Sequence, residues 1–568
     1  MNDINALYKI WSEKAVLDPD LQAELKACEG KDEEILDRFY RNLEFGTGGL
    51  RGVIGAGTNR MNIYTVAQAT QGLADYLNEV CDEQPTVAIA YDSRIKSDMF
   101  AESAACVLAA NGVKVYLYPE LMPTPMLSFA VRRLHCSSGI VITASHNPSK
   151  YNGFKCYDPT GYQITDEAAA KIYSYMKSVD MFDGVKRMSF EDALANDMVD
   201  YIEDWLKDEF IDCVLDCSVN KDVVKKSGIK VLYTPLNGTG NKPVRRVLKK
   251  LGVQELQVVK SQEKPDGNFP TCPYPNPEIR QVFEEGLAMT EEFPADLMIA
   301  TDPDCDRVGI AVRDEGEYKL MTGNEVGAML CEYLLSQLKE KGKLPENPVI
   351  VKTIVTTPLI SAICKEYGAD MRDLLTGFKY IGECITELEA KGEEGRYVLG
   401  LEESYGYLTG IHARDKDGVN AAMIICEMAA YYKTQGITLW QFMNSVYEKY
   451  GYFFNQLDNY AFEGAAGMQK MADMMDELRN NPPKEINGSK VVWVGDYKAG
   501  ITTDGETGLP KSNVLSYRME SGDAVIVRPS GTEPKIKIYI TAKATSREEA
   551  EKKLSVISDS VKTLLGIE

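Results

Sequence analysis

At 568 residues the chain exceeds what one hydrophobic core supports, so several domains are expected. Its 26% charged and 44% hydrophobic residues exclude a disordered or fibrous class. A formal net charge of −22 repels nucleic acid and anionic membrane, so any phosphate site has to be a local basic island.

The first residues carry no basic flank before an apolar run, and no stretch reaches ~18 uninterrupted apolar residues. This reads as a cytoplasmic protein with no membrane partner. Thirteen cysteines are scattered without metal-ligand pairing, Cys213 and Cys217 being the closest couple. Only His135, His146 and His412 are present, which excludes histidine-rich metal chemistry and leaves a Ser-His-Asp relay little to draw on.

In chain order, apolar spacing predicts a helix over 32–45, with Ile35, Leu36, Phe39, Tyr40 and Leu43 on one face, ended by Gly46. A glycine-rich loop follows, Gly46-Thr47-Gly48-Gly49-Leu50-Arg51-Gly52. A dinucleotide fingerprint needs a preceding strand and a third glycine where Arg51 stands, so backbone N–H groups around one arginine suit a single phosphate better. From residue 62 the rhythm is regular: helix to about 81, strand 86–90, a helix, strand 114–118, a helix from about 124, and strand 139–142. That last strand opens into Thr143-Ala144-Ser145-His146-Asn147-Pro148, where the Asn-Pro pair forces a turn beyond a strand end. A second run holds strand 231–233, a basic helix over 242–251 and strand 297–300. A third holds strand 348–351, a helix from 358, a loop over 376–382, strand 397–400 and a helix over 420–433. From about 452 the pattern changes to strands at 491–494 and 524–527 with a closing helix over 546–565, an α+β tail.

Four loops carry candidate chemistry. In the first, Ser145 offers a hydroxyl at a strand end. Asp302, Asp304 and Asp306 alternate, so an extended backbone projects all three carboxylates to one side as an oxygen-only ligand set suited to Mg2+. Glu402 and Ser404, two apart, can accept from and donate to neighbouring sugar hydroxyls. Arg528-Pro529-Ser530-Gly531-Thr532 joins a guanidinium fork, hydroxyls and a glycine in a pattern that suits a phosphate monoester, although a surface turn reads the same way.

Together TASHNP, DPDCDR, GLEES and RPSGTEP, in that order, resemble the α-D-phosphohexomutases, within them the phosphoglucomutase and phosphopentomutase branch. The resemblance implies an α/β fold of four domains around a central cleft: three related α/β domains with mixed, mostly parallel sheets over 1–205, 206–322 and 323–450, and a C-terminal α+β domain over 451–568. It also implies an enzyme phosphorylated on Ser145, with Mg2+ held by Asp302, Asp304, Asp306 and that phosphate. Glu402 and Ser404 would hold sugar hydroxyls. Arg528, Ser530, Gly531 and Thr532 would grip the non-transferring phosphate, and Arg51, Arg307, Lys379 and Lys155 are further phosphate-contacting candidates. Some members carry a histidine where Tyr405-Gly406-Tyr407 stands here, so the acid/base role falls to Lys416 as first candidate and His146 as runner-up.

The expected reaction interconverts glucose 1-phosphate and glucose 6-phosphate through glucose 1,6-bisphosphate. Pentose or mannose phosphate is the alternative substrate, and oligomeric state is left open between monomer and dimer. From other classes, an aspartate-nucleophile phosphatase leaves the Ser145 and Arg528 loops without a task, and a silent sugar-phosphate sensor should have lost the serine or an aspartate.

Overall fold

Strands Ser138–Ile142, Leu297–Thr301, Val349–Thr353 and Tyr397–Glu402 are buried along their whole length. Their near-continuous apolar sequence is what a strand covered by helices on both faces requires. The structure, a computed structural model, describes residues 2–46, 48–462, 464–530 and 535–567. It divides into one unit of Met1–Met321, Ile381–Tyr397 and Tyr405–Thr438 and a second of Thr322–Tyr380, Val398–Ser404 and Leu439–Glu568.

The first unit holds two mixed sheets. One runs in the order Gly49–Val53, Tyr151–Tyr157, Ser138–Ile142, Thr86–Tyr91, Lys114–Leu117, Val199–Tyr201. Its last four strands are parallel and its first two add antiparallel. The other runs Glu317–Met321, Val308–Asp314, Leu297–Thr301, Lys230–Thr234, Glu255–Val258, with its last three strands parallel. Helix Ile63–Val80 starts where the sequence predicts, because Asn62 and Thr65 form a reciprocal capping box. Helices Asn2–Lys14 and Asp32–Phe39 dock through Trp11, whose ring meets Phe39, Tyr64 and Phe182 edge-on at 5.8, 5.7 and 5.4 Å.

In the second unit, Val349–Thr353 pairs in parallel with Asp370–Leu374 and lies beside Tyr397–Glu402. The tail is an antiparallel sheet carrying helices Gly464–Asn480 and Arg547–Leu565, the latter capped by Ser546. The α/β class with mixed, mostly parallel sheets and a C-terminal sheet domain is therefore as expected. No helix among the described residues is long and apolar enough to cross a membrane.

Three local readings are corrected. The helix expected over 32–45 stops at Phe39. Leu43 N bonds instead to Thr58 O, and the Thr58 hydroxyl to Arg41 O, so Leu43 and Phe45 enter the core from irregular backbone. The glycine-rich loop becomes strand from Gly49 onward, with Arg51 opposite Gly153. Gly49 is required there, since a Cβ would stand 1.8 Å from Phe154 O. Residues 378–382 are helical, not loop, opening helix Phe378–Ala390.

Candidate functional site

Ser145 sits just beyond strand Ser138–Ile142 with a left-handed backbone, φ 49°. For a side-chain-bearing residue that conformation costs energy, and a buried network offsets it. Ser145 N donates to the Thr143 hydroxyl at 2.8 Å, which donates to Asp92 at 2.6 Å. Asp92 also accepts from Arg94 N at 2.9 Å and the Ser97 hydroxyl at 2.8 Å. The Arg94 guanidinium, buried over the Phe269 ring, donates to the carbonyls of Ser145 and Asn147 and to those of Pro148 and Tyr151 at 2.9 and 3.0 Å. One side chain thus ties down the whole turn. Sequence reasoning missed Asp92 and Arg94 as site residues. The signal was a charged pair following a buried strand, and the Tyr91↔Ile142 register brings it beside Thr143.

The Ser145 hydroxyl donates to Asp302 Oδ2 at 2.7 Å, and His146 Nδ1 lies 3.2 Å from Ser145 Oγ. Asp302, Asp304 and Asp306 are buried, with one oxygen from each within 4.8 Å of the others. Extended alternation is not what gathers them. The backbone turns through Cys305 at φ 54°, and Asp302 Oδ1 accepts from the N–H groups of Asp306 and Arg307 at 3.1 and 3.0 Å.

Cations partly compensate the cluster. Lys155 Nζ donates to Asp304 Oδ2 at 2.9 Å and stands 3.6 Å from Asp306; Lys416 Nζ is 3.3 Å from Asp306 and 3.0 Å from Asp415, whose other oxygen accepts from Tyr157 at 2.6 Å. Thr124 donates to Asp304 Oδ2 at 2.9 Å. Arg307 pairs with Glu278, and exposed Arg51 lies in the field of Asp304, Arg307 and Asp306.

Burial and the neighbouring Asp304 and Asp306 push the Asp302 carboxyl well above the usual range. At Asp304 burial acts the same way but is outweighed by Lys155 and by hydrogen bonds from Asp302, Lys155 and Thr124, so its carboxyl lies well below. Burial, then the charges of Arg307 and Arg51, hold the His146 ring well below its ordinary value and hence neutral.

The residues fit a hard cation. Oδ1 of Asp304 and Oδ1 of Asp306 are buried with no hydrogen-bond partner among the described residues, an arrangement costly without an ion to meet them. The donor set is all oxygen, which favours Mg2+ over softer metals.

The second unit carries the remaining candidates. Glu402 ends strand Tyr397–Glu402, and its Oε1 accepts from Gly377 N at 3.0 Å. Ser404 follows, partly exposed. Glu403, missed in sequence, accepts from the hydroxyls of Thr353 and Thr356 at 3.1 and 3.3 Å. Lys379 lies in the first turn of helix Phe378–Ala390, 5.2 Å from the Tyr380 ring centre. Arg528 is opposite Lys537 on strand Ala524–Pro529, and Ser530 N donates to Lys535 O at 2.7 Å. Gly531 and Thr532 lie outside the described residues.

A serine on a braced turn beside three buried carboxylates defines a phosphoryl-transfer class of site, and comparison identifies its family. Phosphoglucomutase/phosphomannomutase alpha/beta/alpha domains I, II and III match residues 42–182, 208–316 and 322–450, and the C-terminal domain matches 472–556. The chain belongs to the α-D-phosphohexomutase family, and it is an intramolecular phosphotransferase of the isomerase class.

Among named relatives, a phosphoglucomutase of Staphylococcus aureus (strain MRSA252) is 34% identical over 93% of this chain and 94% of its own length. One from Staphylococcus saprophyticus is also 34% identical, over 91% and 94%. In fold, the chain resembles the phosphoglucomutase parafusin of Paramecium, with TM-score 0.70 at 18% identity over 93% and 95% of the two chains. A phosphoglucomutase/phosphomannomutase family protein from Burkholderia thailandensis gives 0.66 at 19% over 92% and 97%.

Proposed function

We propose that this enzyme interconverts α-D-glucose 1-phosphate and glucose 6-phosphate through a phosphoserine at Ser145 and a glucose 1,6-bisphosphate intermediate. The observation that carries this reading is the Ser145 hydroxyl held at 2.7 Å from Asp302, within a carboxylate cluster with orphaned oxygens. The choice of glucose rests on the phosphoglucomutases it resembles at 34% identity.

In the forward direction the phosphoryl group leaves Ser145 Oγ for the sugar 6-hydroxyl. The Oγ–P bond breaks, the O6–P bond forms, and the hydroxyl proton moves to a base. The bisphosphate turns over, and the 1-phosphate returns to Ser145. The Asp92, Thr143 and Arg94 network keeps Oγ in line for both steps, since phosphoryl transfer depends on positioning and charge neutralisation.

Asp302, Asp304, Asp306 and the phosphorylated serine would hold Mg2+, which when bound neutralises phosphoryl oxygens. Lys416 Nζ, braced by Asp415, is assigned to move the sugar hydroxyl proton. Neutral His146, 3.2 Å from Ser145 Oγ, is the alternative acceptor. Lys155, Arg307 and Arg51 offset the charge of the serine-borne phosphate. Glu402 and Ser404 read sugar hydroxyls, while Arg528, Ser530 and Lys379 hold the phosphate that stays put.

The test is turnover of glucose, ribose and mannose 1-phosphates with Mg2+ and a trace of glucose 1,6-bisphosphate, beside Ser145→Ala. Fast glucose phosphate isomerisation, lost in the variant, is the expected result. Faster ribose or mannose turnover replaces the sugar and keeps the mechanism. Release of free phosphate that survives Ser145→Ala overturns the phosphoserine and moves the chemistry to an aspartate.

A further inference from the structure

Cys217 closes helix Asp204–Asp216, and its sulfur lies 4.0 Å from Nδ1 of His412. Beyond the ring, Nε2 is 2.8 Å from Oδ2 of Asp417, a buried carboxylate. An ionised carboxylate only accepts, so Nε2 carries a proton, and Asp417 holds the ring in its protonated form with Nδ1 facing the sulfur, a positive charge beside the thiol. Thiol, imidazole and carboxylate stand in the order that activates nucleophiles, on residues the phosphoryl chemistry does not use. Nine cysteines are buried, whereas Cys81, Cys106, Cys213 and Cys217 are partly exposed. Of these four, Cys217 alone has a ring nitrogen in hydrogen-bonding reach of its sulfur among the described residues.

Two features oppose a thiolate. The carbonyls of Cys213 and Thr409 lie 3.4 Å from the sulfur, and a helix C-terminus carries partial negative charge. Against these stands the full positive charge of the imidazolium at 4.0 Å, supported by Arg132, which donates to the carbonyls of Ile411 and His412 at 2.7 and 3.2 Å.

The sulfur also has no room to grow toward the loop. A Cβ built on Gly410, itself left-handed at φ 78°, would stand 2.5 Å from it. The loop it presses against runs through His412 and Lys416 to Asp417, which caps helix Gly418–Thr434 by accepting from Val419 N and Asn420 N. Gly418 N in turn donates to Cys305 O at 3.0 Å, inside the aspartate turn.

We propose that Cys217 is a reactive thiol that hydroperoxides oxidise to a sulfenic acid, and that the added oxygen displaces the 409–418 loop and so slows turnover. The thiol gives its proton to solvent beside the His412 imidazolium, and the sulfur lone pair attacks one peroxide oxygen. The O–O bond breaks, and the departing oxygen leaves as water or alcohol with a proton from solvent. Sulfur gives up two electrons and the peroxide takes them, so no further reactant is needed. The thiol chemistry stands alone; the effect on turnover rests on the mutase reading through Lys416.

The experiment treats the full-length Mg2+-loaded enzyme with substoichiometric hydrogen peroxide, traps sulfenic acid with dimedone, maps labelled peptides by mass spectrometry and assays turnover in the same samples. Cys217 is expected to label about tenfold faster than Cys81, Cys106 or Cys213, and about tenfold slower in His412→Asn. Turnover is expected to fall in step with labelling, while Cys217→Ala keeps basal turnover and loses the sensitivity. Comparable labelling of the four cysteines overturns the reactive thiol, and this ranking within the unaltered protein needs no variant to fold. Rapid Cys217 labelling with undiminished turnover overturns the coupling. Absence of any sugar phosphate turnover is a failure of the mutase reading, and the labelling order still decides the thiol.

Discussion

The hydroxyl of Ser145 donates to Oδ2 of Asp302 at 2.7 Å across 157 positions of sequence. Each residue lies just past the end of a buried strand, Ser138–Ile142 in one sheet and Leu297–Thr301 in the other. The contact therefore joins the ligand-bearing ends of two α/β layers, the place where such sheets bind substrates.

Replacing Thr143 by valine keeps its shape and removes the hydroxyl between Asp92 and Ser145 N. Taking that hydrogen-bond partner from one carboxylate oxygen of Asp92 and from the Ser145 amide is expected to cost about 1–3 kcal/mol, read by urea denaturation. A serine that drifts out of line is expected to lose kcat more than KM, by roughly tenfold or more. Thr143→Ser should restore most of both.

Chelation should destabilise the protein as well as silence it. Ionising all three carboxylates at this spacing costs roughly 4 kcal/mol per pair at 4 Å and an effective dielectric of 20, and burial and that repulsion push the Asp302 carboxyl up when no cation is bound. Treatment with EDTA is expected to lower Tm, and Mg2+ at about 100 times its Kd to return about 2.7 kcal/mol. A Tm indifferent to Mg2+ would remove the metal from the Asp302, Asp304 and Asp306 cluster.

Lys155→Met strips Asp304 Oδ2 of its ammonium partner and leaves it no cation, only hydrogen bonds from neutral groups such as the Thr124 hydroxyl. Breaking a buried pair from one side costs about 3–5 kcal/mol. Differential scanning calorimetry should show that loss in EDTA and a partial recovery in Mg2+, because the cation supplies the missing positive charge.

His412 gives the protein a pH-dependent stability. Burial lowers its affinity for a proton, but the hydrogen bonds with Asp417 and Cys217 outweigh burial and raise the pKa to about 9. The groups facing the ring are Asp417, Cys217 and Phe210, with Arg132 on the adjoining carbonyls. A folded value above the unfolded one, near 6.5, means the contribution is complete below about pH 6.5 and lost as pH climbs through 9. Its size is on the order of 3 kcal/mol. A Tm profile should fall across that window in the native protein and flatten there in His412→Gln.

The sequence by itself determined the family, the order of the four chemical loops and most of the strands that present them. Those features are local: apolar runs of strand length, glycine and proline at turns, and hydroxyl, carboxylate or guanidinium groups just past each run. That Asp302, Asp304 and Asp306 belong to one cluster was legible for the same reason, although the geometry behind it was not. Alternation suggested an extended strand, whereas a left-handed Cys305 and two backbone bonds to Asp302 wrap the carboxylates together.

Only the tertiary structure decided what holds these loops in place. Arg94 bonds to carbonyls more than fifty residues away, and Asp92 meets Thr143 because parallel strands set Tyr91 beside Ile142. The end of the third helix was equally hidden, since Leu43 keeps helical spacing in sequence while its backbone bonds to Thr58. The pairing of Cys217 with His412 across 195 positions follows the same rule. Such partners lie far apart along the chain, so nothing in local composition marks them. The physical reason is burial: a polar group taken from water must find a partner wherever the fold supplies one, and only the packed chain specifies which.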